Sequence, residues 1–373
     1  MKISLLSVAP PYRGGISEQT YHLYEQLKDN HTVNIINFKR QYPAFLFPGK
    51  TQYDKTSLRH QDENHRIIDS INPFSWRRAA GFIKQSSPDL ILIRFWNPFF
   101  ALCYSYIINK VKKKLPNTKI ICICDNIIPH EKHFYDIPLI KNIFKHVDAY
   151  ILMSSKVEEE LKSIINNPTY KKLFHPVLSV SQKYSKEESR VEIGLTKKRI
   201  IVFFGIIREY KGLDILIKSN KYLREELNDY QIVICGESYE NESKYNKLIK
   251  ENSENDEIRW INEYIPENLV PLYFSASDVV VLPYKSASQS GVIPLSYSYE
   301  RPVIASDIKG IKGMIQTQKT GFLFEKGNPE DLSKSIINLF NKEEDYSSNI
   351  IKFRKQFSWS FFIDEIINLY KCL

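Results

Sequence analysis

Runs of apolar residues recur along the chain without the polar alternation that a half-exposed strand would carry. KISLLSV (2–8), TVNIINF (32–38), LILIRF (90–95), KIICICD (119–125) and AYILMSS (149–155) predict buried strands in the first half. Continuous hydrophobicity implies burial on both faces, as in a parallel sheet covered by helices. Between the first two runs, GISEQTYHLYEQLKDN places Ile16, Tyr21, Leu23, Tyr24 and Leu27 at helical spacing, with Ser17 as the expected cap. The pattern then restarts: RIIVFFG (199–205), a helix over about 212–223, QIVICG (231–236), EIRWIN (257–262), DVVVLPY (278–284) and PVIAS (302–306). The polar stretch SVSQKYSKEESR marks the join, and FSWSFFIDEIINLYKCL closes the chain as an aromatic amphipathic helix. Strand and helix in alternation, with one restart, predict two doubly wound α/β domains whose loops after strands face a ligand. The expected boundaries are 1–185, 186–355 and a terminal helix over 356–373.

Composition agrees with that division. At 373 residues the chain exceeds one ordinary core, and domains of roughly 150–200 residues are expected. Hydrophobic content of 43% and charged content of 25% indicate a globular protein. The longest uncharged run, between Arg94 and Lys110, has 15 residues, contains Pro98 and falls short of the ~20 that a spanning helix needs. MKISLLSVAPPYRGG reads as a first buried strand rather than a secretory leader, so the expected location is the cytoplasm. The five cysteines show no CxxC pairing, and three lie in strand-like runs, which favours core thiols over disulfides or zinc. Residues 1–185 hold 26 Lys and Arg against 15 Asp and Glu, while the remainder hold 26 against 28. The first half therefore suits an anionic partner such as a lipid headgroup or lipid diphosphate, although a solvated lysine-rich surface gives the same numbers.

Three loops carry candidate chemistry. PPYRGGISEQ sets Gly14 and Gly15 before a helix, where the backbone can approach an anion; a plain turn explains the pair equally. It is not GxGxxG, so hydride chemistry loses its main support. GIIREYKGLDILI places Arg208 and Lys211 three apart, bracketed by Gly205 and Gly212, where a guanidinium and an ammonium could hold a diphosphate. YKSASQSGVIPLSYSY turns through Gln289, Ser290, Gly291 and Val292 into a helix expected near Ile293 or Pro294. No D-x-D occurs, so no two-carboxylate Mg²⁺ holder is expected and no metal or other cofactor is required. In CDNIIPHEKH, Asp125, His130 and Glu131 are the catalytic candidates, with an imidazole placed to polarise an acceptor hydroxyl. His130 and His133 lack further zinc ligands, and no basic and aromatic nucleic-acid motif is present.

Taken together, PPYRGGIS, FKRQYPAFLFPGKTQ, DNIIPHE, FFGIIREYKGLDILI, VICGE and YKSASQSGVIPLSYSYERPVIASD resemble segments of the large retaining glycosyltransferase family 4, in a bacterial branch. The resemblance runs nearly end to end. It implies the GT-B fold: two Rossmann-like domains facing a cleft, with the C-terminal helix crossing back to the first. It also implies a nucleotide-diphosphate sugar bound mainly by the second domain. In that reading Arg208 and Lys211 hold the diphosphate, and Ser290, Gly291 and Val292 contact it through the backbone. Glu237 and the Tyr264–Ile265 segment approach sugar, base or ribose, and Gly15 nears the diphosphate from the other domain. Many relatives carry two glutamates eight positions apart where this chain has Ser288 and Ser296, and many carry a histidine in place of Asp125. The expected activity is metal-independent, retaining transfer to a hydroxyl of a glycan or lipid-linked glycan in surface polysaccharide synthesis. Phe45, Phe47, Trp96 and Phe99 would aid peripheral contact with an anionic membrane. A non-catalytic nucleotide-sugar-binding protein of the same fold is the alternative.

Overall fold

The computed structural model describes residues 1–43, 52–53, 64–129, 133–176, 184–254, 256–266, 268–287, 289–342 and 344–373. The chain divides into two compact units, Met1–Leu173 with Trp359–Leu373, and Phe174–Ser358. Sequence reading placed the corresponding boundaries at 185/186 and 355/356.

The first unit runs β1 (Lys2–Leu6), α1 (Gly15–Leu27), β2 (Thr32–Arg40), β3 (Asn64–Asp69), α2 (Pro73–Ser86), β4 (Leu90–Phe95), α3 (Ala101–Lys112), β5 (Lys119–Cys124), α4 (Asp136–Phe144), β6 (Ala149–Leu152), α5 (Ser155–Ile164) and β7 (Tyr170–Lys172). Its strands form one parallel sheet in the order β3-β2-β1-β4-β5-β6-β7. Every residue of β4 is buried, as its unbroken apolar run requires. The order reverses between β1 and β4, so the loops after these strands flank a switch point, the usual place for a ligand in such sheets. Helix α1 starts two residues before the expected cap. Gly14, at φ 112, turns the chain directly into the helix, and Ser17 lies buried inside it.

The second unit runs α6 (Lys186–Glu192), β8 (Arg199–Phe204), α7 (Leu213–Glu226), β9 (Tyr230–Cys235), α8 (Glu242–Asn252), β10 (Ile258–Ile261), α9 (Val270–Ala276), β11 (Val279–Leu282), α10 (Val292–Ser298), β12 (Val303–Ser306), β13 (Gly321–Phe324), α11 (Pro329–Asn341) and α12 (Tyr346–Phe353). Its parallel sheet has the order β10-β9-β8-β11-β12-β13. Here the switch point lies between β8 and β11. The loops that follow these two strands are GIIREYKG and PYKSASQSG.

The last helix, α13 (Trp359–Lys371), belongs to the first unit. Trp359, Phe362, Ile366 and Leu369 stand at helical spacing and pack with Ile3, Leu5, Leu92, Ile121 and Ile151 on one face of that unit's sheet. Lys171 pairs with Glu365, and Lys119 Nζ donates to the Leu373 carbonyl at 2.7 Å.

Candidate functional site

In the second unit, two glycines shape the loop after β8. Gly205, at φ 106, ends the strand, and its N–H donates to the Cys235 carbonyl at 2.8 Å. A single 3₁₀ turn over Glu209–Lys211 follows, and Gly212 closes it in the left-handed region at φ 66. A Cβ at Gly212 would stand 1.9 Å from the Pro283 carbonyl oxygen, so only glycine lets this loop lie against the end of β11. The Lys285 N–H, which donates to the Tyr210 carbonyl at 2.6 Å, fastens the same two loops.

This framework brings Arg208 and Lys211 together. The Arg208 guanidinium lies 5.5 Å from the Tyr239 ring centre, and the Lys211 ammonium 6.0 Å from that of Tyr284. Among the described residues neither cation has a carboxylate within ion-pair distance. Burial, and then the charge of Arg208, lower the Lys211 pKa to about 8. Lys285 is instead paired with Asp214 at 3.0 Å. A cavity of about 620 Å³ is lined by Arg208, Glu209, Tyr210, Tyr239, Glu240 and Lys285. Glu240 is occupied at its edge, accepting from the Glu209 N–H and, at 2.8 Å, from the Tyr245 hydroxyl. Arg208 and Tyr239 line this cavity, and Lys211 is near enough for the Arg208 charge to act on it, so the two cations can bind a compact anion.

The loop after β11 joins this group through Tyr284, which is buried and whose ring lies 6.0 Å from the Lys211 ammonium. Ser290 is buried, and its Oγ accepts from the Val292 N–H at 3.2 Å, so that amide already has a partner. Helix α10 begins at Val292, one residue before the expected start. Gly291 has an ordinary φ of −73 and open space where a Cβ would be. Gln289 is half-buried beside it. Glu237 is exposed at the end of β9. Tyr264 is 66% exposed whereas Ile265 turns into the core, which leaves the former and the local backbone for a ligand.

Ser296 needs correction. Its side chain is wholly buried and its Oγ donates to the Arg301 carbonyl at 2.9 Å, tying the end of α10 to the chain leading into β12. A hydroxyl so placed is a structural tie and does not reach a ribose. Ser288, with His130 and Glu131, lies outside the described residues.

In the first unit, the loop after β5 starts at Asp125, which is buried and paired with Arg94 in two parallel bonds, Nε to Oδ2 at 2.7 Å and Nη2 to Oδ1 at 2.8 Å. That fork holds a buried guanidinium at the carboxyl end of β4, and it makes Asp125 an anchor rather than a free acid or base. Gly14 and Gly15 sit before and at the start of α1, each with open space where a Cβ would be. Beside the Asp125 loop is a second cavity, about 730 Å³, walled by Trp76, Trp96, Phe99 and Tyr135 and by Asn97, Asn126 and His133. The Asn126 Oδ1 is buried without a hydrogen-bond partner among the described residues. No three His, Cys, Asp or Glu side chains gather as a metal site would need, among those residues.

Residues 185–357 match the family model of Glycosyl transferases group 1. This segment is a group 1 glycosyltransferase domain. Its limits coincide closely with those of the second unit, so the Arg208 and Lys211 loop belongs to the group 1 domain. A D-inositol 3-phosphate glycosyltransferase of Corynebacterium aurimucosum is 25% identical over 193 residues, which cover 49% of this chain and 46% of the relative. The chain thus spans about half the length of that curated relative. An uncharacterized glycosyltransferase of Methanocaldococcus jannaschii is 23% identical over 96% of this chain and 95% of its own. Among solved structures, Anabaena HepE in complex with UDP superimposes with a TM-score of 0.76 at 16% identity, over 100% of both chains. The apo lipopolysaccharide outer core galactosyltransferase WaaB does so with 0.72 at 16%, over 99% of both. The fold is GT-B, built of two Rossmann-like α/β units, with the group 1 domain as the second.

Four residues of the site were missed by sequence reasoning: Tyr239, Glu240, Tyr284 and Lys285. All lie within a few residues of a strand's carboxyl end, so the rule that singled out Arg208 and Lys211 could have found them.

Proposed function

We propose that the protein transfers a sugar from a nucleoside diphosphate carrier, held by the group 1 domain, to a hydroxyl of a glycan bound by the first unit. The observation that carries this is the pair Arg208 and Lys211. Two like charges are held together, one of them partly buried with its pKa drawn down to about 8, and neither has a carboxylate partner among the described residues. A diphosphate supplies the missing negative charge. The UDP and UDP-glucose complexes of HepE, a protein of the same fold, support the ligand class.

In this reading Arg208 and Lys211 take the charge that develops on the leaving diphosphate, and no metal is called for. Ser290, Gly291 and Val292 border the same group; Glu237 and Tyr264 are the side chains open to sugar, base or ribose. Retention follows a front-face route. The bond from the anomeric carbon to the phosphate oxygen breaks, the acceptor oxygen bonds to that carbon on the same face, and the acceptor proton passes to the departing phosphate. His130 and Glu131 remain candidates to orient the acceptor. The acceptor is a lipid-linked glycan of a surface polysaccharide, consistent with the basic first half and with the galactosyltransferase activity named for WaaB.

Thermal shift against UDP, GDP, ADP and their sugars tests binding, and a ligand at about 100 times its Kd should add ~2.7 kcal/mol of stability. Arg208→Ala should weaken nucleotide affinity by about tenfold or more, equivalent to ~1.4 kcal/mol. No shift with any nucleotide would overturn the reading. Product NMR reads the anomeric configuration, and activity that survives EDTA supports metal independence. A second reading, binding without turnover, draws on Ser296, which places no carboxylate near the donor. Donor binding with no product from any glycan acceptor would select it.

A further inference from the structure

The 730 Å³ cavity of the first unit gathers residues that follow three different strands: Ser70 after β3, Trp96 after β4 and Asn126 after β5. Helix α2 adds Trp76, and Tyr135 joins them just before α4. The volume falls within the roughly 300–1,000 Å³ usual for small-molecule sites. Both indoles have their N–H groups committed to the protein, Trp76 Nε1 to the Asp69 carbonyl at 2.7 Å and Trp96 Nε1 to the Tyr42 hydroxyl at 3.3 Å. These ties fix the rings by their polar edges and leave only apolar surface for a ligand. Tyr135 stacks on His133, with ring centres 5.0 Å apart and planes at 10°.

Two polar side chains of the same wall are unused. Ser70 Oγ and Asn126 Oδ1 are buried, and neither has a hydrogen-bond partner among the described residues. Ser70 as a whole is only 4% exposed. Each unpaired buried oxygen costs free energy, so two at one cavity are unexpected of a wall that merely fills space. The neighbouring polar groups are occupied: Asn97 Oδ1 accepts the Phe99 N–H at 2.9 Å, and Asp136 Oδ2 accepts the His133 N–H at 2.7 Å. Among the described residues no lysine or arginine lines the cavity, and Asp136 is its one carboxylate. A phosphate or carboxylate entering here would meet that acid with no cation to offset it. An acyl chain would leave both free oxygens unpaired. A neutral sugar ring satisfies the whole wall, setting its C–H face on the aromatic rings and its hydroxyls on Ser70 and Asn126.

We propose that this cavity is a subsite for an uncharged sugar ring, that Ser70 and Asn126 determine its specificity through their free oxygens, and that it excludes uronic acids and sugar phosphates. Its use in seating the acceptor rests on the function proposed above, and it narrows that acceptor to a glycan whose recognised unit is neutral. Saccharide binding is measured without donor or turnover. Nucleotide binding with no saccharide binding therefore overturns the subsite alone, whereas the absence of nucleotide binding overturns the transferase reading.

The experiment is saturation-transfer NMR of the full chain at about pH 8, where histidine is ordinarily neutral. The probes are the methyl glycosides of glucose, galactose, mannose and N-acetylglucosamine, and the uronates of the first three, with titration of those that respond. At least one neutral glycoside should bind, with the strongest transfer at its ring C–H protons, and the uronates should bind at least about tenfold more weakly. Asn126→Ala should weaken the best neutral glycoside by about tenfold, and Ser70→Ala should weaken it in the same direction. Neither side chain has a hydrogen bond to lose, so both replacements should leave the thermal midpoint unchanged or raised, which removal of a structural contact would not do. No response from any neutral glycoside, or equal binding of a uronate, overturns the proposal. So does unchanged affinity in both variants, or a midpoint lowered in both, which would assign the two oxygens to the fold.

Discussion

Lys211 is where a single residue reports on the chemistry. Its pKa in the folded chain, about 8, lies below the ordinary 10.5, so between these values the unfolded chain binds more protons and stability rises with pH. Below pH 8 the full cost of the buried ammonium is present. A diphosphate acts in the opposite sense, since it favours the charged form. Nucleotide affinity should therefore fall by about tenfold between pH 7 and 9, and calorimetry near pH 9 in two buffers should register proton uptake on binding. Ser296 makes the contrasting case. Ser296→Ala should lower stability by about 1 kcal/mol through loss of the bond to the Arg301 carbonyl, with nucleotide Kd unchanged. A clear rise in Kd would return this residue to the donor site. The two cations were legible because they stand in a glycine-bracketed loop straight after a buried strand. Ser296 was misread because its place in a family register says nothing of where its side chain points. Asp125 was misread in a similar way, since the sequence does not show that Arg94, on the neighbouring strand, takes both of its oxygens.

At the scale of elements, the unbroken apolar runs located β1, β2, β4, β5 and β6, and β8 to β12, to within two residues at most ends. Three strands escaped, all on sheet edges. β3 is NHRIID, with only one fully buried position; β7 is the three-residue YKK; β13 is the short GFLF. An edge strand needs only one hydrogen-bonded neighbour and is open on its other side, so the signal for burial is weak there. The loop after β8 depends on its two glycines in different ways. At Gly212 an alanine Cβ would meet backbone, the Pro283 oxygen at 1.9 Å, in addition to the positive φ. Gly212→Ala should cost about 2 kcal/mol or more and displace Lys211, weakening nucleotide binding as well. At Gly205 the nearest atom is the mobile Lys211 Nζ, at 2.8 Å, so a side chain there acts on the ammonium first. Paired chemical denaturation and calorimetry distinguish the two effects, and Gly212→Ala with unchanged stability would show that the close approach is absent.

For the molecule as a whole, the first unit is made of the beginning and the end of the chain, with Phe174–Ser358 inserted between. Ile366, fully buried in α13, stands at the centre of the seam. Ile366→Ala should remove about 2–5 kcal/mol from the first unit. Hydrogen exchange should show faster opening of β1, β4, β5 and β6 while β8 to β13 keep their protection; uniform loosening of both sheets would contradict this division. The interrupted connectivity also has a meaning in time. On a ribosome adding ~5–20 residues per second, roughly ten to forty seconds separate the last strand of the first unit from the helix that covers its sheet. For that interval Ile3, Leu5, Leu92, Ile121 and Ile151 await their cover, and the nascent chain offers chaperones an apolar face that no longer exists once Leu373 has left the exit tunnel.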